Sequence, residues 1–146
     1  SNLLGAGLRE AITPMIKRSI QMALIAIIPL WIILLIFPTP IISIFTNEAA
    51  TIAACISPLR ELSLSFVVLI PGFILFNCIS GSGNTRSALA LELFALFFYT
   101  VYVGYAIFYQ HCSLTVAWGA DLLYSCTLLF GSTWYIKRAN WLNKQI

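Results

Sequence analysis

Apolar residues fall along this chain in four long runs, and each run is close to the length of a bilayer crossing. No residue from Ser19 to Asn47 is charged, and residues 20–37 form the first run, with Pro29 inside it. The second, residues 62–79, lies between Glu61 and Arg86 and carries Pro71-Gly72 near its middle. The third, about 88–109, is rich in aromatics: Phe94, Phe97, Phe98, Tyr99, Tyr102, Tyr105, Phe108 and Tyr109. The fourth, about 114–136, ends at Lys137 and Arg138. A transmembrane helix needs about 20 predominantly apolar residues, so the pattern predicts an all-α integral membrane protein of four spans.

The breaks between runs have their own chemistry. Pro38-Thr39-Pro40 stops the first helix, because proline lacks the amide proton and its ring clashes with the preceding turn. Thr46 or Asn47 followed by Glu48 reads as a helix start, a cap oxygen with an acid in the positive first turn. An interfacial helix over about 47–60 is expected to run from there into the second span. Pro29 and Pro71-Gly72 predict bends within spans, which neighbouring helices in a bundle tolerate. Gly81-Ser82-Gly83-Asn84-Thr85 reads as a tight inter-helix turn. It lacks the Gly-Lys-Ser/Thr ending of a phosphate-binding loop. Residues 1–18 read as a connector, and the opening Ser1-Asn2-Leu3-Leu4-Gly5 as part of a longer polypeptide.

Composition strengthens the membrane reading. Sixty per cent of residues are apolar, 9% are charged and the mean hydropathy is +0.94, whereas soluble domains carry about 25% charged residues. The net charge of +3 does not imply nucleic-acid binding, because the basic residues sit at the ends of apolar runs. With the N-terminus on one side, that side receives Arg9, Lys17, Arg18, Arg86, Lys137, Arg138 and Lys144, and the other receives Arg60 alone. By the positive-inside rule both termini and the turn at 81–85 are cytoplasmic in a multi-pass protein of the cell membrane. Trp118, Trp134, Tyr135 and Trp141 fall near the ends of the fourth span, at headgroup depth. Cys55, Cys78, Cys112 and Cys126 have no metal-ligand spacing and read as small apolar side chains. Cys55 and Cys112 fall on the same side. His111 reads as an exposed loop residue. No nucleophile, base and orienting group can be assembled, so the sequence does not read as an enzyme.

Polar groups inside the spans are the candidates for function, since a charge at membrane depth normally faces a bundle interior or a wet cavity. Glu92 lies one to two turns into the third span, and its stripe continues through Tyr99 and Tyr102. Asp121 lies about two turns into the fourth, followed by Ser125 and Ser132. One reading makes the two acids protonatable or cation-binding groups of a transport pathway, with tyrosine faces for organic cations. The other lets both acids complement nearby helix N-termini. Asn77 and Gln21 read as inter-helix hydrogen bonders, with Asn77 also a pathway candidate. Glu61, next to Arg60, reads as an ordinary boundary charge.

The phrases Ser1-Asn2-Leu3-Leu4-Gly5-Ala6-Gly7 before a helix, Phe37-Pro38 through Ile44-Phe45-Thr46 after it, and Gly81-Ser82-Gly83-Asn84-Thr85-Arg86 between two spans resemble the multidrug and toxic compound extrusion (MATE) transporters. The resemblance extends over essentially the whole chain and rests on the order and spacing of the phrases. It implies helices nine to twelve, the C-terminal part of a twelve-helix protein, with helices three to six of the similar first half as the other placement. It further implies export of small amphipathic or cationic substrates by alternating access, driven by a proton or sodium gradient. The remaining helices and the lipid bilayer would be the partners, and no cofactor beyond the coupling ion is implied. Some members carry an acid near the middle of the tenth helix, whereas residues 67–75 have none here, which implies that ion coupling rests elsewhere in the transporter. Members often have Arg and Asp where this turn has Ser80 and Asn84. A lipid-linked oligosaccharide flippase of the same superfamily, or a small four-helix membrane assembly subunit, stands as the alternative.

Overall fold

The computed structural model describes residues 11–108 and 114–138, and these are helical with no strand among them. The phrase at residues 1–7, Arg9, Glu10, Tyr109, His111, Cys112, Trp141 and Lys144 lie outside the described residues. Five helices follow in order: α1 (Ile12–Ile36), α2 (Pro38–Ser43), α3 (Ala49–Gly81), α4 (Thr85–Phe108) and α5 (Leu114–Arg138). Three of them, α1, α3 and α4, are long and apolar enough to cross a membrane.

Local chemistry explains most of the boundaries. α1 begins at Ile12, so residues 12–18, read as connector, extend the first helix by two turns. It runs through Pro29 and ends at Ile36. The prolines that stop it also start the next helix: Pro38 occupies the first position of α2, where a missing N–H costs nothing and φ is already helical. The N-cap of α3 is Glu48 rather than Thr46 or Asn47. Thr46 Oγ1 instead accepts from the Glu48 amide at 3.3 Å, and the Glu48 carboxylate accepts from the Thr51 hydroxyl at 2.6 Å. α3 then continues for 33 residues through Pro58 and Pro71. At 1.5 Å per residue it is about 50 Å long, well beyond the roughly 30 Å of hydrocarbon. α3 and α4 are joined by residues 82–84, where Gly83 has φ 86. In that left-handed region a side chain would clash with the following carbonyl. Within the turn, Ser82 Oγ donates to the Ile79 carbonyl at 2.7 Å, and the Asn84 amide donates to Ser82 Oγ at 3.3 Å.

α5 is the inner helix. It packs most extensively on α3 and then on α4, while α1 packs on α3. The α3 face turned inward carries Pro58, Ser65, Gly72 and Ile79, all buried and spaced by seven residues. On α5, Ala120, Ser125, Leu128 and Ser132 are buried. Large apolar side chains lie outside instead, among them Met22, Ile25, Phe97 and Phe130. This inversion of a soluble core is what a lipid solvent selects. Lipid tails are as apolar as leucine, so helices associate through small residues that let backbones approach. The closest approach is at Gly72, where a β-carbon would lie 3.1 Å from both Cα and N of Leu129. Gly72, expected to ease a bend beside Pro71, makes room for α5. The interior hydroxyls bond their own helices: Ser63 to the Leu59 carbonyl, Ser65 to Leu62 and Ser125 to Asp121, at 2.6, 2.7 and 2.6 Å. Cys55, Cys78 and Cys126 are free thiols.

Candidate functional site

α4 and α5 run side by side and turn a row of polar groups toward each other. Glu92, in the third turn of α4, accepts a hydrogen bond from Tyr124 Oη of α5 at 2.7 Å through its Oε1. This pair links two helices across 32 residues of sequence, and both residues are partly buried. A carboxylate at membrane depth costs a few kcal/mol. A phenol O–H bonded to a carboxylate is a short, charge-assisted contact of the kind that offsets part of that cost. Tyr99, two turns beyond Glu92, meets the Tyr124 ring edge to face, with centroids 6.3 Å apart. Glu92, Tyr99 and Tyr124 thus form one acid–aromatic cluster.

A second acidic group stands further along the same interface. Tyr102 donates to the Val116 carbonyl at 3.0 Å, tying α4 to the first turn of α5. A β-carbon on Gly119 would lie 3.1 Å from Tyr102 Oη and 3.2 Å from Glu61 Oε1, so a phenol and a carboxylate converge on that glycine. Glu61 Oε2 is buried and has no hydrogen-bond partner among the described residues. The reading of Glu61 as a boundary charge is therefore incomplete: its carboxylate is turned into the α3–α5 contact. Tyr102 follows Glu92 by ten positions, which places this second acid about 15 Å further along the α4 axis.

The other expected residues are placed apart from these clusters. Asp121 lies one turn before Tyr124 on α5, half-buried, and its backbone carbonyl takes the Ser125 hydroxyl. Asn77 is exposed, and its amide donates to the Phe73 carbonyl of its own helix at 2.7 Å, so it bonds within α3 rather than between helices. Ser132, on the Asp121 stripe, is fully buried with an unpartnered Oγ. Pro29 is exposed on α1, away from α5. Gly81 ends α3, while Gly83 and Asn84 form the turn. Tyr124 and the inward Glu61 are the residues the sequence reading missed. The signal for Tyr124 was present, since a phenol three positions after Asp121 falls on the same face of the fourth run. No group of three or more potential metal ligands occurs among the described residues.

Residues 1–106 match a family model described as MatE. Neither a curated protein nor a solved structure matches the chain.

Proposed function

The chain belongs to the MatE family of multi-pass membrane transporters, and on that premise we propose that it forms part of a cation-coupled antiporter that exports organic cations by alternating access. In this reading the chain supplies four spans, α1, α3, α4 and α5, with both termini and the turn at 82–84 cytoplasmic. α5 is less apolar than the other three, and its position accounts for the difference. It packs on both α3 and α4 and buries the hydroxyls of Ser125 and Ser132. Its 25 residues extend about 37 Å, enough for a crossing, and Trp134, Lys137 and Arg138 suit its end to the interface.

The observation that carries the proposal is the Glu92–Tyr124 hydrogen bond with Tyr99 against it. An anionic group held between helices by a phenol, beside two aromatic faces, matches what an amphipathic cation needs: a counter-charge and π surfaces within about 6 Å. Glu61, with Tyr102 beside it, offers a second counter-charge further along the same interface. The gradient that drives export, of protons or sodium, acts in the complete transporter together with the helices that oppose these.

The test is efflux of a cationic dye from vesicles holding the native-length polypeptide, with each ion gradient imposed in turn. Dye export that stops when the gradients are dissipated supports the antiporter. Export indifferent to both gradients refutes it. Glu92→Gln removes the charge while keeping a side chain of the same shape. Losing one partner of a close charge pair costs about 2 kcal/mol or more, so apparent dye affinity should weaken roughly 30-fold or more at unchanged expression.

A further inference from the structure

The basic end of the α4–α5 pair, away from Glu61 and Tyr102, holds a groove that the proposed function leaves unassigned. The start of α4 and the end of α5 diverge to leave a groove of about 710 Å³, lined by Ser87, Ala90, Phe94, Phe130, Trp134 and Tyr135 among others. That volume is within the roughly 300–1,000 Å³ typical of ligand sites. The groove opens outward: Phe94, Phe130 and Trp134 are 55%, 72% and 59% exposed. Its floor depends on Gly131, where a β-carbon would come within 3.0 Å of the Leu91 side chain.

The rim is cationic. Arg86 immediately precedes Ser87, while Lys137 and Arg138 follow Tyr135 by two and three residues, and all three are exposed. Arg138 lies over the Trp134 ring, 5.8 Å from its centroid. Lys17 and Arg18 belong to the same end of the bundle, because the neighbouring Ile16 packs in a cluster with Tyr135 and Ile136. The acids of the described residues are Glu48, Glu61, Glu92 and Asp121, and none of them forms an ion pair there. Glu92, the nearest along the chain, already accepts from Tyr124. An apolar trough open to lipid, crowned by cations with no acid partner among the described residues, is complementary to one class of molecule, an amphiphile with an anionic head.

We propose that this groove binds an anionic phospholipid, with an acyl chain between Phe94 and Phe130 and the phosphate among Arg86, Lys137 and Arg138. The bound lipid would brace the start of α4 and the end of α5, next to the stretch of α4 that carries Glu92. Basic residues at a membrane surface each favour an anionic headgroup by roughly fivefold, so three give roughly 100-fold.

Brominated phospholipids test this directly, because bromine quenches a tryptophan it touches. The native-length polypeptide, in mild detergent, is titrated with brominated phosphatidylglycerol or brominated phosphatidylcholine. Saturable quenching at a roughly 100-fold lower concentration of the glycerol lipid is expected, and Trp134→Phe should remove the quenched component. The triple variant Arg86→Gln, Lys137→Gln, Arg138→Gln should lose the preference. The charge-keeping triple Arg86→Lys, Lys137→Arg, Arg138→Lys should retain it, which separates loss of charge from loss of fold. Equal quenching by both lipids overturns the proposal, as does a preference that survives in the glutamine triple. Quenching that persists in Trp134→Phe, or no quenching because another helix fills the groove, overturns it as well. Displacement by millimolar inorganic phosphate makes the rim a free-anion site, which is likewise fatal to the lipid assignment.

Discussion

Replacing Gly72 with alanine adds one methyl group at the tightest contact between α3 and α5. The new carbon would lie 3.1 Å from Cα and N of Leu129 and 3.2 Å from its Cβ. Carbon atoms prefer separations of about 3.5–4.0 Å, so the helices must part by about 0.4 Å. Backbone atoms cannot rotate aside, and the motion has to be taken up along the buried series Ser65, Gly72, Ile79. Overpacking of this kind costs about 1–3 kcal/mol, while the helix preference of alanine over glycine returns about 1 kcal/mol. The expected net loss is about 1 kcal/mol for Gly72→Ala, rising to about 3 kcal/mol for Gly72→Val, near the upper end of overpacking costs. Gly104 is the internal control, because a β-carbon there meets nothing within 4 Å. Gly104→Ala should therefore gain about 0.5–1 kcal/mol. Unfolding by SDS in mixed micelles, followed by tryptophan fluorescence, ranks the three variants against the parent. Should Gly72→Ala stabilise as much as Gly104→Ala, the close approach of α3 and α5 is wrong. Trimming Leu129 to alanine should not rescue Gly72→Ala, since the three close contacts are with N, Cα and Cβ, all of which alanine keeps.

Further outcomes follow from single residues. Ser132→Ala removes a fully buried hydroxyl oxygen that has no partner among the described residues. It should raise stability by about 1 kcal/mol in the same micelle assay, the desolvation cost of an unpaired polar group; a loss would mean the hydroxyl is bonded. Gly83→Ala places a side chain at φ 86 and should cost about 1–2 kcal/mol, whereas Gly81→Ala, with open space around it, should not. Tyr124→Phe keeps the ring against Tyr99 but removes the donor to Glu92. It should destabilise by about 1–3 kcal/mol if Glu92 is charged, and Glu92→Gln in the Tyr124→Phe background should then cost much less than alone. Additivity of those two changes in a double-mutant cycle would show that the pair is not coupled.

How much was legible in the sequence depended on which property carried the signal. Helix positions came from length and apolarity, both of which survive without knowledge of neighbours. Three helices meet the criteria for a crossing on that basis, and the proline and glycine punctuation fell at helix ends, as at Phe37-Pro38 and at Gly83. The α2 helix escaped notice because prolines were read only as a stop, although the first turn of a helix is the one place where proline helps. The orientation of each helix about its own axis was not legible. In water, apolar periodicity reveals the inward face; here lipid and interior are both apolar, so leucine and phenylalanine carry no directional information.

What does carry direction is the distribution of small and polar side chains. Glu92 and Tyr99, read as one stripe, both meet Tyr124, because an acid at membrane depth turns toward a bundle interior. Asn77 was the exception for a physical reason: an amide can satisfy itself on its own helix, as its bond to the Phe73 carbonyl demonstrates, and is then free to face outward. A carboxylate has no donor of its own and cannot bond a carbonyl, so Glu92 needs a donor from another side chain, and Tyr124 of α5 is that donor. The same reasoning applies to Glu61, whose Oε2 is buried without a donor among the described residues. The seven-residue series Pro58, Ser65, Gly72, Ile79 was equally readable as a seam. Charges that cannot satisfy themselves and glycines that cannot be replaced are therefore the positions from which an inward face can be inferred in a lipid-solvated helix.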